Sequence, residues 1–270
     1  MEPIIKWAGG KRQLLPEIKK RIPPDIKKYV EPFFGGGAVF FDIDFERAVI
    51  SDTNEQLINM YKMVREMPFQ LIEQLEHIQK EYNMLSHDEQ SSFYYDKRTE
   101  FNTMRNANSI EGAALFIFLN KTCYNGLYRE NASGEYNTPF GKRKQISLYD
   151  EVKLLECSEK LKRTKIICGD FSEACKNLRV GTFVYFDSPY YDTFDTYQAG
   201  GFTEAEHIRL AELFNALSER NIKCMLSNSD TEFIRKLYSE YVIETVEVKR
   251  MINCDGKKRS GTEIIVKNFK

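Results

Sequence analysis

Short apolar runs that close on an acid or a glycine punctuate both ends of this chain, and a long stretch of helical periodicity separates them. Over residues 1–55, Tyr29-Val30 and Ala48-Val49-Ile50 each read as a buried strand, the first ending at Glu31 and the second at Ser51-Asp52. Between Lys11 and Arg21 the pattern predicts a modest helix interrupted by Pro16. In the middle, residues 56–162, Leu57, Tyr61 and Val64 fall at helical spacing, as do Leu71, Leu75, Ile78 and Tyr82. Ala113–Leu119 is a third apolar helix segment, after which YNGLYRENASGEYNTPFGKRK reads as a turn-rich hairpin or loop. Residues 163–270 return to alternation. Lys165–Cys168 ends at Gly169-Asp170, Phe183–Phe186 ends at Asp187, a helix Glu204–Arg220 precedes a strand Cys224–Leu226, and Glu263–Asn268 is a late strand. Strands alternating with helices imply an α/β architecture, Rossmann-like and doubly wound around a mostly parallel sheet. The expected division is a sheet domain from residues 1–55 and 163–270, with a helical domain, 56–162, inserted into it and carrying a hairpin-like loop near 124–145.

Composition narrows the class. With 270 residues, 42% hydrophobic and 29% charged, the chain has enough apolar content to bury a core, and disorder is excluded. No apolar run reaches the roughly 18 residues of a membrane span. The N-terminal MEPIIKWAGGK lacks the apolar core of a signal peptide, so a cytoplasmic location is expected, nucleoid-associated if the source is bacterial. Six scattered cysteines without a CxxC pair, and three histidines without HxH or HExxH spacing, argue against a metal site and against a disulfide framework. The net charge of −1 conceals local excesses. Asn120–Gln145 holds five bases against two acids, and Lys249–Arg259 five against one. If both share a face, a polyanion fits them; two solvated loops would look the same, and charge alone does not decide.

Ligands of doubly wound sheets sit beyond the carboxyl ends of the strands. Four acids stand there: Glu31, Asp52, Asp170 and Asp187. EPFFGGGAVF follows the first strand, and its Gly35 and Gly37 allow close backbone approach to a ligand. Asp52 comes 17 residues after Gly35, near where nucleotide-binding sheets place an acid on ribose hydroxyls. Phe40 stands where GxGxxG would have its third glycine, and GxxxxGK[ST] is absent, which disfavours a nicotinamide oxidoreductase and a nucleotide triphosphatase.

The sharper signal is Asp187-Ser188-Pro189-Tyr190. Together with KWAGGK (Lys6–Lys11), EPFFGGGAVF (Glu31–Phe40), SDTN (Ser51–Asn54), YNGLYR (Tyr124–Arg129), YNTPFGK (Tyr136–Lys142), GDF (Gly169–Phe171) and LSNS (Leu226–Ser229), it makes the chain resemble the Dam-type, alpha-ordered DNA adenine N6-methyltransferases, which use S-adenosylmethionine. The resemblance runs nearly the whole length. Its chemistry is intelligible from the residues. The exocyclic nitrogen of adenine is a poor nucleophile because its lone pair is delocalised, and two fixed acceptors on its hydrogens localise that pair. The resemblance implies that Asp187 supplies a carboxylate and Ser188 a backbone carbonyl for this purpose, with Pro189 between them and Tyr190 stacked on a base flipped from the duplex.

For the cofactor, the resemblance implies Trp7 and Lys11 near the methionine portion, Phe33 over the ligand, and Gly35 and Gly37 beneath it. Asp52 is implied on the ribose, Asp170 and Phe171 at the adenine, and Asp187 beside the methyl group. For double-stranded DNA it implies a GATC target read by Lys6, Tyr124, Asn125, Leu127, Arg129 and Pro139, with Arg129 and Lys6 on guanines, and Leu127 and Pro139 at thymine. Lys142, Arg143 and Lys144, together with Lys249–Arg259, would hold phosphates. A cognate restriction endonuclease system is one partner this leaves open, beside a regulatory or viral role. Ser188 departs from the family's usual first proline and forfeits its stiff φ. That departure keeps two other readings in view: a DNA-binding regulator with weakened catalysis, and an enzyme acting on another nucleic acid or on a protein amide.

Overall fold

The computed structural model describes residues 2–9, 11, 13–104, 108–191, 201–249 and 260–270. In chain order the elements are α1 (Leu15–Arg21), β1 (Lys28–Glu31), β2 (Arg47–Asp52), α2 (Glu55–Glu66), α3 (Pro68–Met84), α4 (His87–Met104), α5 (Ile110–Thr122), α6 (Glu151–Lys162), β3 (Thr164–Cys168), α7 (Phe171–Ala174), β4 (Thr182–Phe186), α8 (Glu204–Glu219), β5 (Lys223–Ser229), α9 (Glu232–Leu237), β6 (Val242–Lys249) and β7 (Ser260–Lys267). The strands form one sheet in the order β3-β2-β1-β4-β5-β7-β6. β1 to β5 run parallel, and β7 is antiparallel to both neighbours. The order reverses direction at β1, the switch point beyond which the strand ends leave a crevice. The expected Rossmann-like, mostly parallel fold is the one found.

Strand side chains alternate between the two faces. Tyr29, Ala48, Ile50, Phe183, Tyr185, Met225 and Ile265 join one core, which continues without a break into α2, α3, α5 and α6. Val30, Val49, Val184, Phe186, Leu226 and Ile264 face the other, beneath Phe171 of α7, Leu210, Phe214 and Leu217 of α8, and Ile234 of α9. The central strands are therefore buried on both sides, which is why their sequences are apolar runs rather than alternating patterns. α5 carries the same logic further. Its Ala113–Leu119 segment is buried on every side at the centre of the helical region.

One expected feature is corrected. Pro16 does not interrupt a helix; it lies in the first turn of α1, where its missing N–H has no partner to lose. Beyond α5 the chain forms a hairpin-like loop, with antiparallel bridges Cys123–Phe140 and Glu130–Tyr136. Its base is locked by Tyr124 N–H donating to the Pro139 carbonyl (2.8 Å) and Gly141 N–H to that of Thr122 (2.8 Å). A Cβ at Gly141 would meet the Cys123 carbonyl oxygen at 2.5 Å, so only glycine closes this crossing. Among the described residues no helix is long and apolar enough to cross a membrane.

Candidate active site

β4 delivers Asp187. All five residues of the strand are buried, and Asp187 is the first residue beyond it, at the sheet's carboxyl edge. Burial pushes the Asp187 carboxyl above the usual range, while Lys11 and Ser227 draw it back. Lys11 Nζ lies 2.7 Å from Asp187 Oδ1 and also donates to the Gly9 carbonyl (2.8 Å). Ser227, at the corresponding edge of β5, donates to the same Oδ1 (3.0 Å), and Tyr185 Oη stands 2.8 Å behind the Ser227 hydroxyl. The carboxylate is thus aimed by a buried chain of hydroxyls.

Asn228 clamps the turn after Asp187 at Ser188, Pro189 and Tyr191. Its Nδ2 donates to Ser188 Oγ (3.1 Å) and, at 3.5 Å, to the Pro189 carbonyl, and its Oδ1 accepts from Tyr191 N–H (3.1 Å). Both Ser188 and Asn228 are buried. The stiffness that a proline at position 188 would bring is replaced by a side-chain hydrogen bond. Tyr190 lies with Lys11 Nζ 4.2 Å from its ring centroid, and its hydroxyl donates to Glu263 Oε2 (2.6 Å). Burial and the charges of Asp187 and Glu263 hold its phenol well above its ordinary value.

The neighbouring strand ends add a second cluster. Asp52, at the end of β2, accepts from Gly35 N–H and Asn54 N–H (both 2.9 Å), and burial raises its carboxyl. Asn54 then caps α2 through Leu57 N–H (2.8 Å), so SDTN both places an acid and starts a helix. Gly35 and Gly37 have φ of 48° and 67°, and a Cβ at Gly35 would meet Trp7 Cδ1 at 2.7 Å. Trp7 in turn stacks on Tyr128 (centroids 5.3 Å) and closes the glycine turn from above. Phe33 stacks on Phe171 (5.2 Å), with Phe202 edge-on to Phe33. Asp170 caps α7 and takes both arms of Arg209 at 2.9 and 2.7 Å. The Arg209 guanidinium holds this carboxyl well below the usual range. Glu31, the fourth strand-end acid, is buried and takes the Tyr29 hydroxyl (2.8 Å).

The loop and the N-terminus meet. Lys6 N–H donates to Asn120 Oδ1 (3.0 Å), Asn120 Nδ2 donates back to the Lys6 carbonyl (2.8 Å), and the Lys6 stem lies over Gly126. Exposed Lys6, Tyr124, Asn125, Arg129 and Pro139, with half-buried Leu127, therefore belong to one ridge. Arg129 Nε donates to Asn137 Oδ1 (2.7 Å), and Asn125 adopts φ of 58°. Lys142, Arg143 and Lys144 are exposed, and their backbone is tied down by Tyr82 to the Arg143 carbonyl and by Gln90 Nε2 to that of Lys144 (3.0 Å). The second basic stretch, Lys249–Arg259, lies outside the described residues apart from the backbone of Lys249.

A carboxylate and a tethered turn beside a tyrosine ring suit an amino group that must be stripped of delocalisation. The model of the D12 class N6 adenine-specific DNA methyltransferases matches residues 7–252. The chain belongs to this family. As a D12 class enzyme it is an adenine-specific DNA methyltransferase, and the methyl group goes to N6. The type II methyltransferase M.MjaIII of Methanocaldococcus jannaschii is 42% identical over the whole chain and 99% of its own length. The retron Ec67 DNA adenine methylase of Escherichia coli is 35% identical over 98% of this chain and 90% of its own. The DNA adenine methylase of Escherichia coli K12 is 32% identical, covering 98% and 94%. Ser227, Asn228, Glu263 and Arg209 are the partners of this D12 site that the sequence reading did not assign. Only the first two had a visible signal, the LSNS run at the end of a buried strand.

Proposed function

We propose that the protein methylates N6 of an adenine flipped out of double-stranded DNA, within GATC, using S-adenosylmethionine. The observation that carries the reading is the Asp187-Ser188-Pro189-Tyr190 turn, fixed at three points by Ser227, Asn228 and Glu263. Asp187 and the Ser188 carbonyl accept the two amino hydrogens, and Tyr190 stacks on the base. Among the described residues, Lys11 and Ser227 both converge on Oδ1 of Asp187, which leaves Oδ2 for the amino group. Its burial-raised basicity suits Asp187 to take the proton that N6 sheds.

The residues fit S-adenosylmethionine. Asp52 is a half-buried carboxylate with acceptor capacity beyond its backbone donors Gly35, Thr53 and Asn54, suited to vicinal hydroxyls. Phe33, Phe171 and Phe202 supply aromatic surface for a purine. Lys11 offers an ammonium for a carboxylate, and Gly9, with φ of 75°, faces open space. The chemistry supplied by S-adenosylmethionine, when bound, is an electrophilic sulfonium methyl group. Lys11 Nζ lies over the Tyr190 ring and must swing off that face for the base to stack, and a ligand carboxylate gives it a second partner. The Asp170–Arg209 pair forms the rim beside Phe171, over which the Arg209 guanidinium lies at 4.2 Å.

We assign the helical region 56–162 to target recognition, with Arg129 and Lys6 on guanines, Tyr124, Asn125, Leu127 and Pro139 at the remaining positions, and Lys142–Lys144 on phosphates. The exposed ridge joined through Asn120 supports this. Transfer of tritiated methyl from S-adenosylmethionine to matched duplexes with and without GATC tests the whole reading. N6-methyladenine confined to the GATC duplex is expected. Equal labelling of both would overturn the target, and tight binding without label would favour the weakened regulator.

A further inference from the structure

β7 runs antiparallel between β5 and β6, with Glu263 in register opposite Ser229 and Val246. Alternation along β7 puts Glu263 on the same face as Ile265, and hence on the face of Tyr185, in the core that continues into the helical region. There its Oε2 takes the Tyr190 hydroxyl at 2.6 Å, a bond that spans 73 residues of sequence. Asn228 fixes the backbone around Tyr190, but a backbone clamp leaves the ring free about χ2, a broad, two-fold torsion. The hydroxyl oxygen lies on the χ2 axis, but conjugation keeps its O–H in the ring plane, so an acceptor fixed in space biases the plane the ring takes up. A neutral acceptor would suffice for that; a carboxylate does more. A phenol donating to an anion makes a stronger bond and gains electron density on its face, which attracts positive charge. Lys11 Nζ occupies that face here, 4.2 Å from the centroid. Positive charge appears there again when the amino nitrogen accepts the methyl group.

We propose that Glu263 is a positioning residue for methyl transfer: through the Tyr190 hydroxyl it sets the plane and the electron density of the ring against the target adenine. The proposal rests on the reading of Tyr190 as the ring beneath that base. A purely structural Glu263 would alter folding or DNA affinity without regard to the Tyr190 hydroxyl.

The test uses the full chain with single-turnover methylation, equilibrium binding of DNA and of S-adenosylmethionine, and emission of 2-aminopurine placed at the target adenine. Glu263→Ala is expected to slow the single-turnover step roughly ten- to hundredfold while binding changes little, with brighter 2-aminopurine emission from a less tightly stacked base. Tyr190→Phe should reproduce the slowing, and Glu263→Ala should add almost nothing in that background. Glu263→Gln, which keeps an acceptor but not the charge, should recover part of the rate and also serves if the alanine variant folds poorly. Independent, multiplicative effects of Glu263→Ala and Tyr190→Phe, or an undiminished rate in Glu263→Ala, would overturn the proposal while Tyr190→Ala remained defective. An undiminished rate in Tyr190→Ala would overturn both the proposal and the reading on which it rests.

Discussion

Asn228 donates through Nδ2 to the hydroxyl of Ser188 across 3.1 Å, inside a pocket where both side chains are buried. This bond gives the serine a function that a proline could not serve. Replacing Ser188 with proline restores a stiff φ, worth about 0.4–1 kcal/mol where the backbone accepts it. It also strands the Asn228 amide, at about 1–3 kcal/mol. Ser188→Pro should therefore lower unfolding free energy while keeping turnover, since the backbone carbonyl survives. Asn228→Ala should do the reverse of sparing turnover, slowing the chemical step by roughly ten- to hundredfold. Urea unfolding and single-turnover rates separate the two, and a more stable Ser188→Pro variant would show the bond to be idle.

The Lys11–Asp187 pair has a kinetic signature. Burial raises the Asp187 carboxyl and Lys11 opposes that rise. The carboxylate must be ionised to accept from the amino group, so activity falls as pH drops through its pKa. Removing the ammonium raises that pKa further. In Lys11→Met the acid limb of kcat/KM against pH should move to higher pH, beyond whatever affinity for the methyl donor is lost. An unmoved limb would disconnect Lys11 from Asp187.

Arg129 is exposed and donates to Asn137 through Nε (2.7 Å) and Nη2 (3.4 Å), which leaves Nη1 for the proposed contact with DNA. Arg129→Ala should cost about 1–3 kcal/mol in discrimination at one guanine of the target. Methylation rates on duplexes substituted one base pair at a time read this directly. Equal weakening on every duplex would make Arg129 a phosphate clamp.

His207 lies buried among Tyr191, Phe202 and Phe233, and burial pushes its imidazole down to about 4 against the pull of Glu204 and Glu206. The sign follows from which state binds the proton. Between about pH 6.5 and 4 the unfolded chain is the more protonated, so acid withdraws stability, up to about 3 kcal/mol at the lower end. In His207→Phe the unfolding free energy should fall less steeply over this window than in the parent. Identical slopes would assign the acid sensitivity elsewhere.

Much of the frame was legible because buried parallel strands write themselves as apolar runs. FVYF and AVI need no partner to be recognised, and the acids after them mark the crevice. α4 was not legible: its buried positions reduce to Gln90, Tyr94 and Phe101 in a polar background. β6 escaped because Glu244 and Glu247 interrupt its apolar positions. The site divides in the same way. Asp52, Asp170 and Asp187 announce themselves locally. Arg209 on Asp170, Asn228 on Ser188 and Glu263 on Tyr190 join residues 39 to 73 positions apart, and no periodicity encodes such pairs. Pro16 misleads for a related reason, since a proline that breaks a helix interior and one that opens a helix look alike until the first turn is located.

In the proposed mechanism the Asp187 carboxylate prepares the adenine amino group for attack. The most direct measurement is a single-turnover methylation of GATC duplex by Asp187→Asn, with donor and DNA both saturating and their binding measured in parallel. Near-complete loss of N6-methyladenine formation is expected while both ligands remain bound. A variant that methylates at the parental rate would contradict this mechanism.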